Sequence, residues 1–100
     1  MKTEPLAVPE GFREDISRAV QILKEGGCAE IFLFGSGAAG KVGDGSDIDL
    51  AIRGCPRGHF FHLLGRLLWE LDRPVDLVNL DTQDSFAQYL QQEGELLQVG

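Results

Sequence analysis

Apolar residues recur at helical spacing from Phe12 through Ile16, Ala19 and Val20 to Leu23, a pattern that predicts a helix over residues 9–25. Pro9 suits its first turn, and Gly26-Gly27 ends it. Behind those glycines, Ala29 to Phe34 is short, aromatic and apolar, the character of a buried strand. From Asp47 to Arg53 the pattern alternates, with Ile48, Leu50 and Ile52 on one face and Asp47, Asp49 and Ala51 on the other. Helical spacing returns at Phe60, Leu63, Leu64, Leu67, Leu68 and Leu71, until Arg73-Pro74 breaks it. Val75 to Leu80 reads as a third strand. Asp84 to Glu93 reads as a last helix with Phe86, Tyr89 and Leu90 on one side, Phe86 and Leu90 being assigned to the core. Gly94 stops that helix, and an apolar tail of Leu96, Leu97 and Val99 follows. The order α-β-β-α-β-α predicts a small α/β (α+β) fold, a sheet with helices packed on it.

Composition narrows the function classes. The 100 residues suit one small domain spanning 1–100, with residues 1–9 as a loose lead-in. The formal charge of −7, with no cluster of Lys and Arg, excludes long nucleic acid as the main ligand. Residues 1–10 lack the basic and apolar regions of a signal peptide, and no apolar run approaches the roughly 20 residues of a membrane helix. The expectation is a soluble, cytoplasmic protein without a membrane partner. Cys28 and Cys55 read as small buried residues at strand ends rather than as a disulfide framework. Zinc ligation by Cys55, His59, His62 and Cys28 is set aside, because the pairs are spaced too loosely and the histidines share a polar helix face with Arg66 and Arg73.

The stretch between the first two strands carries the chemistry. Gly35, Gly37 and Gly40 spell G-x-G-x-x-G, yet the following Lys41-Val42-Gly43-Asp44-Gly45 cannot make the crossover helix of a dinucleotide fold. Gly35, Gly40 and Lys41 spell most of a P-loop, yet Val42 stands where Ser or Thr must hold magnesium. A third reading uses the aspartates that the other two ignore. Asp47 and Asp49 lie two apart on a strand, so both carboxylates project from one face, where they repel unless a cation sits between them. Magnesium, a hard ion that completes its shell with water and substrate phosphates, suits such a pair. The glycine-rich loop upstream offers bare backbone N–H groups to an anion. Asp76, inside an otherwise apolar strand where an unpaired charge is costly, is the candidate third carboxylate; the alternative is a salt bridge to Arg73 or Arg53.

Gly35-Ser36, then Ser46-Asp47-Ile48-Asp49-Leu50, then Asp76, resembles the nucleotidyltransferase superfamily that includes DNA polymerase β. With so short a chain the sequence is most similar to the minimal nucleotidyltransferase (MNT) domains of prokaryotic two-gene modules. The resemblance implies a mixed sheet flanked by helices and ATP-dependent transfer of a nucleoside monophosphate to a hydroxyl, with pyrophosphate leaving. It implies that Gly35 and Ser36 hold the β- and γ-phosphates, with Lys41 and Ser46 also at the nucleotide. Asp47 and Asp49 would bind magnesium (or manganese), and Asp76 would share a second ion and help deprotonate the acceptor, a two-metal arrangement. It implies a partner as well, a HEPN-domain ribonuclease toxin for which the MNT protein is the antitoxin. Ala39 replaces the arginine of the common G-S-x-A-R-G motif, leaving Lys41 as the nearest cation, and the tail ends Leu97-Gln98 without the usual tyrosine. Three functions stay open on the sequence: an enzyme modifying its partner, a module that neutralises the partner by contact alone, and a small-molecule adenylyltransferase. Self-association is equally open.

Overall fold

The computed structural model describes residues 10–35, 47–82 and 84–100. Helix α1, Glu10–Glu25, buries Phe12, Ala19, Ile22 and Leu23. The turn after it passes through Gly27, whose φ of 96° is a left-handed conformation open to glycine. Strand β1, Glu30–Leu33, runs antiparallel to β2, Ile48–Arg53, with Glu30 opposite Arg53 and Leu33 opposite Leu50. Helix α2, Phe60–Glu70, crosses over to β3, Val75–Asn79, which lies parallel to β2. Helix α3, Ser85–Gln92, is capped by Asp84, whose side chain accepts from the N–H groups of Phe86 and Ala87.

The tail that reads only as apolar in sequence forms a fourth strand, β4, Leu97–Gln98, antiparallel to β1. Two residues are too few for alternation to announce a strand; the N–H of Val99 donating to the Ile31 carbonyl at 2.8 Å secures it. The sheet order is β3-β2-β1-β4. Alternation then sorts the core into two layers. Ile31, Leu33, Ile48, Leu50, Ile52 and Leu77 pack with residues of α1 and α2, while Phe32, Phe34, Ala51 and Val78 pack with Ala87 and Leu90 of α3. Helices α1 and α2 therefore share one face of the sheet, and α3 sits on the other.

Three expectations are corrected. Cys28 and Cys55 are joined in a disulfide rather than being separate buried thiols. The register that pairs Glu30 with Arg53 carries on to set Cys28 across from Cys55, a long-range relation invisible in local spacing. Phe86, assigned to the core, is 48% exposed at the start of α3, its ring edge-on to Phe34 with centroids 6.0 Å apart. Leu68 is exposed too, because α2 buries the Leu63 and Leu67 stripe and turns Phe61, Leu68 and Trp69 outward.

Candidate functional site

Alternation along β2 decides where its acids point. Ile48, Leu50 and Ile52 are fully buried beneath α1 and α2, so Asp49 must project from the opposite face, with Asp47 immediately before the strand on the same side. Helix α3 covers that face only in part. It seals Ala51 and Val78 but leaves Asp49 half-buried and Asp47 and Asp76 exposed. The parallel register places Asp76 directly opposite Asp49, and neighbouring strands lie about 4.8 Å apart.

Asp49 feels the other two carboxylates. Burial, then the Asp76 charge, then the Asp47 charge hold the Asp49 carboxyl above its usual range. The alternative ion-pair partners of Asp76 are engaged by other acids: Arg53 bonds Glu30 at 2.9 Å and Arg73 reaches Asp15 at 3.8 Å. Nothing in the core compensates the acids on this face, since no buried polar side chain occurs among the described residues.

Gly35 follows β1 at the same place in the sheet. The N–H of Phe34 donates to the Asp49 carbonyl at 3.0 Å, which draws the end of β1 against β2. Gly35 then turns with φ 69°, and a side chain there would run into the Asp49 carboxylate. Two independent constraints thus demand glycine at this position, one conformational and one steric. The bare backbone lies against the acid.

Four of the sequence-derived site residues, Gly35, Asp47, Asp49 and Asp76, are accordingly brought to one place. Ser36, Lys41 and Ser46 lie outside the described residues. The edge-on pair Phe34 and Phe86 was not anticipated as part of this region. Its only sequence signal was an aromatic residue directly before the glycine and another two residues after a capping aspartate. Hard carboxylate oxygens crowded by like charge form the donor chemistry that magnesium takes. Among the described residues no group of three or more His, Cys, Asp or Glu side chains stands ready to hold a metal ion by itself. An open arrangement is compatible with magnesium, which keeps water and substrate phosphates in its shell.

Comparison with known proteins decides the family. A model described as "Polymerase beta, Nucleotidyltransferase" matches residues 18–99, the span that contains every site residue named above. The chain belongs to the polymerase β nucleotidyltransferase family. Its sheet with helices on both faces is the nucleotidyltransferase fold, and its likeness to MNT antitoxin domains is upheld by solved structures. A toxin–antitoxin complex with AMP-PNP contains a chain 27% identical to this one, with TM-score 0.61, covering 83% of this chain and 69% of that chain. A mutant MntA-HpeT toxin–antitoxin complex contains another, 25% identical, with TM-score 0.63 and coverages of 85% and 71%. The MntA-HepT toxin–antitoxin complex, 23% identical with TM-score 0.59, covers 84% and 69% and shares the fold. No curated protein matches the chain. No described helix is long and apolar enough to cross a membrane.

Proposed function

We propose that this nucleotidyltransferase is the antitoxin of a HEPN/MNT-type pair and transfers AMP from Mg-ATP to a hydroxyl of its partner protein. The observation that carries the reading is the register pair Asp49–Asp76 with Gly35 folded against Asp49. The AMP-PNP in one related complex and the toxin–antitoxin nature of the others support it. In the reaction the acceptor oxygen bonds to the α-phosphorus, the bond from that phosphorus to the oxygen bridging to the β-phosphate breaks, and pyrophosphate leaves. Asp47, Asp49 and Asp76 would hold magnesium, which when bound offsets phosphate charge and eases ionisation of the acceptor. Asp76, the more exposed of the Asp49–Asp76 pair, would help to take the acceptor proton. Gly35 lets the backbone approach the phosphates, with Ser36, Lys41 and Ser46 proposed to complete their binding. A cytoplasmic location is part of the same proposal.

Calorimetry tests the site directly. Mg-ATP should bind the wild type and fail to bind Asp47→Asn/Asp49→Asn, with circular dichroism unchanged. Equal affinity in both would remove the carboxylates from the site. Mass spectrometry of the co-expressed partner should then find AMP-sized increments that disappear in Asp49→Asn. Partner neutralisation without any increment would make the protein a contact antitoxin.

A further inference from the structure

The strand that carries Asp76 is an edge strand of the sheet among the described residues. Strand β3 pairs with β2 and, among the described residues, with no other strand. Ile48 N–H donates to the Pro74 carbonyl at 2.9 Å and Leu80 N–H donates to the Ile52 carbonyl at 2.8 Å. Even-numbered residues of β3 therefore face β2, and the N–H and C=O groups of Val75, Leu77 and Asn79 face outward. Thr82 takes the Asn79 carbonyl, but the outward groups of Val75 and Leu77 and the Asn79 N–H have no strand partner among the described residues.

A groove of about 410 Å³ runs along this edge. Leu77, Val78 and Asn79 form its floor, Phe60 and Phe61 from α2 one wall, and Phe86 from α3 the other. Both helices thus begin beside the strand without covering it. Phe61 stands 80% exposed and Phe86 48% exposed over an apolar trough. An unpaired row of backbone groups between two apolar walls is what an added strand uses: backbone hydrogen bonds hold it, and alternate side chains enter the walls.

The charge around the edge selects the occupant. Asp72, Asp76, Asp81 and Asp84 are all exposed along or beside β3, and the chain carries −7 overall. A second copy would bring the same acids against themselves, at a repulsive cost. A cationic segment would instead be attracted. Side chains opposite one another on neighbouring strands share a face, so a residue laid against Asp76 projects on the side where Asp76 and Asp49 stand.

We infer that the β3 edge is the acceptor-docking surface, and that the acceptor hydroxyl lies on an extended, cationic segment of a partner protein that adds as a fifth strand beside Val75–Asn79. This rests on the nucleotidyltransferase reading of the acids, but the surface can be tested without nucleotide. The probe is a synthetic peptide of alternating lysine and valine with one central threonine, titrated into the whole chain at low salt, with a glutamate-for-lysine version as control. Hydrogen exchange should show new protection at the Leu77 and Asn79 amides. Methylating one of the two alternating sets of peptide backbone nitrogens should weaken binding at least about tenfold, and methylating the other set should leave it unchanged, since each lost hydrogen bond counts for severalfold. Phe61→Ser, a change at an exposed position, should weaken binding while leaving the fold intact.

Binding without protection at Leu77 and Asn79, or equal effects of the two methylated sets, would overturn strand addition. The same protection arising with protein concentration alone would assign the edge to a second copy and overturn the proposal. A chain that binds Mg-ATP but not the peptide keeps the nucleotidyltransferase site and loses this surface. A chain that binds the peptide at β3 but not Mg-ATP keeps the surface and loses its role as an acceptor site.

Discussion

Gly35→Ala separates the two constraints at the turn after β1. The position has φ 69°, where a residue with a Cβ costs about 1–2 kcal/mol. The added carbon also meets the Asp49 carboxylate. That carboxylate ends a short side chain that is only half-buried, so it can swing aside. Its displacement belongs at the low end of the overpacking range, about 1 kcal/mol. The expected loss in the wild-type background is therefore about 2–3 kcal/mol, or roughly 10–20 °C in Tm for a domain of this size. In an Asp49→Ala background the steric part disappears and only the backbone cost of about 1–2 kcal/mol is left.

Urea denaturation of the four proteins gives the coupling directly, and a value of about 1 kcal/mol stands clear of the usual additivity error. Mg-ATP titration adds a second reading, because a carboxylate displaced from its place beside Gly35 should lose the nucleotide even where the fold survives. Equal costs of Gly35→Ala in the two backgrounds would refute the contact. Undiminished Mg-ATP binding by Gly35→Ala would refute its link to the site.

Three further outcomes are expected. Asp49 has its carboxyl held above 3.8 in the fold, so the native state binds its proton more tightly than the unfolded chain; the charge penalty is absent below that pH and grows as pH rises through the folded value, and Asp49→Asn should gain stability over wild type across that window and keep the gain at neutral pH, as urea midpoints against pH will show. Reducing the Cys28–Cys55 bridge, or Cys28→Ser, opens a loop spanning 27 positions and should cost about 3–4 kcal/mol of unfolding free energy, read as a drop in denaturation midpoint on adding a thiol reductant. Asp84, whose carboxyl is held below 3.8 by the N–H groups of Ala87 and Phe86, caps α3 at pH values above 3.8 and loses the cap as pH falls through its lowered value; Asp84→Ala should speed hydrogen exchange at Phe86 and Ala87 at neutral pH and remove that acid sensitivity.

What could be read from the chain depended on how local the cause was. Alternation from Asp47 to Arg53 carries in itself both the strand and the outward direction of its acids, and the structure follows it residue by residue. The glycine at position 35 was legible as a turn before a small-residue loop, but its contact with Asp49 joins residues fourteen positions apart and needs the β1–β2 register. The same register brings the cysteines together. On α2, helical spacing identified Leu63 and Leu67 correctly, while Leu68 sits at the margin of the apolar arc, and only the position of α1 decides that it turns outward. Phe86 was misplaced for a related reason. A helix of eight residues buries one narrow stripe, here Ala87 and Leu90, and its first turn overhangs the edge of the sheet.

The register that makes the site is enforced from the other side of the sheet. On β2, Ile48, Leu50 and Ile52 lock into the layer under α1 and α2, and Leu77 does the same on β3. Shifting β3 by one residue against β2 would turn Leu77 out to solvent and drive Asp76 and Val78 into that layer, burying a charge among leucines. Shifting by two would restore the faces but lift Asp76 away from Asp49 and forfeit ladder bonds at both ends of a five-residue strand. The apolar layer therefore excludes the first error, and the shortness of the strand excludes the second. The carboxylates are held together against their own repulsion by residues that never touch them, so substitutions at Leu50 or Leu77 should damage nucleotide binding through register before they damage it through chemistry.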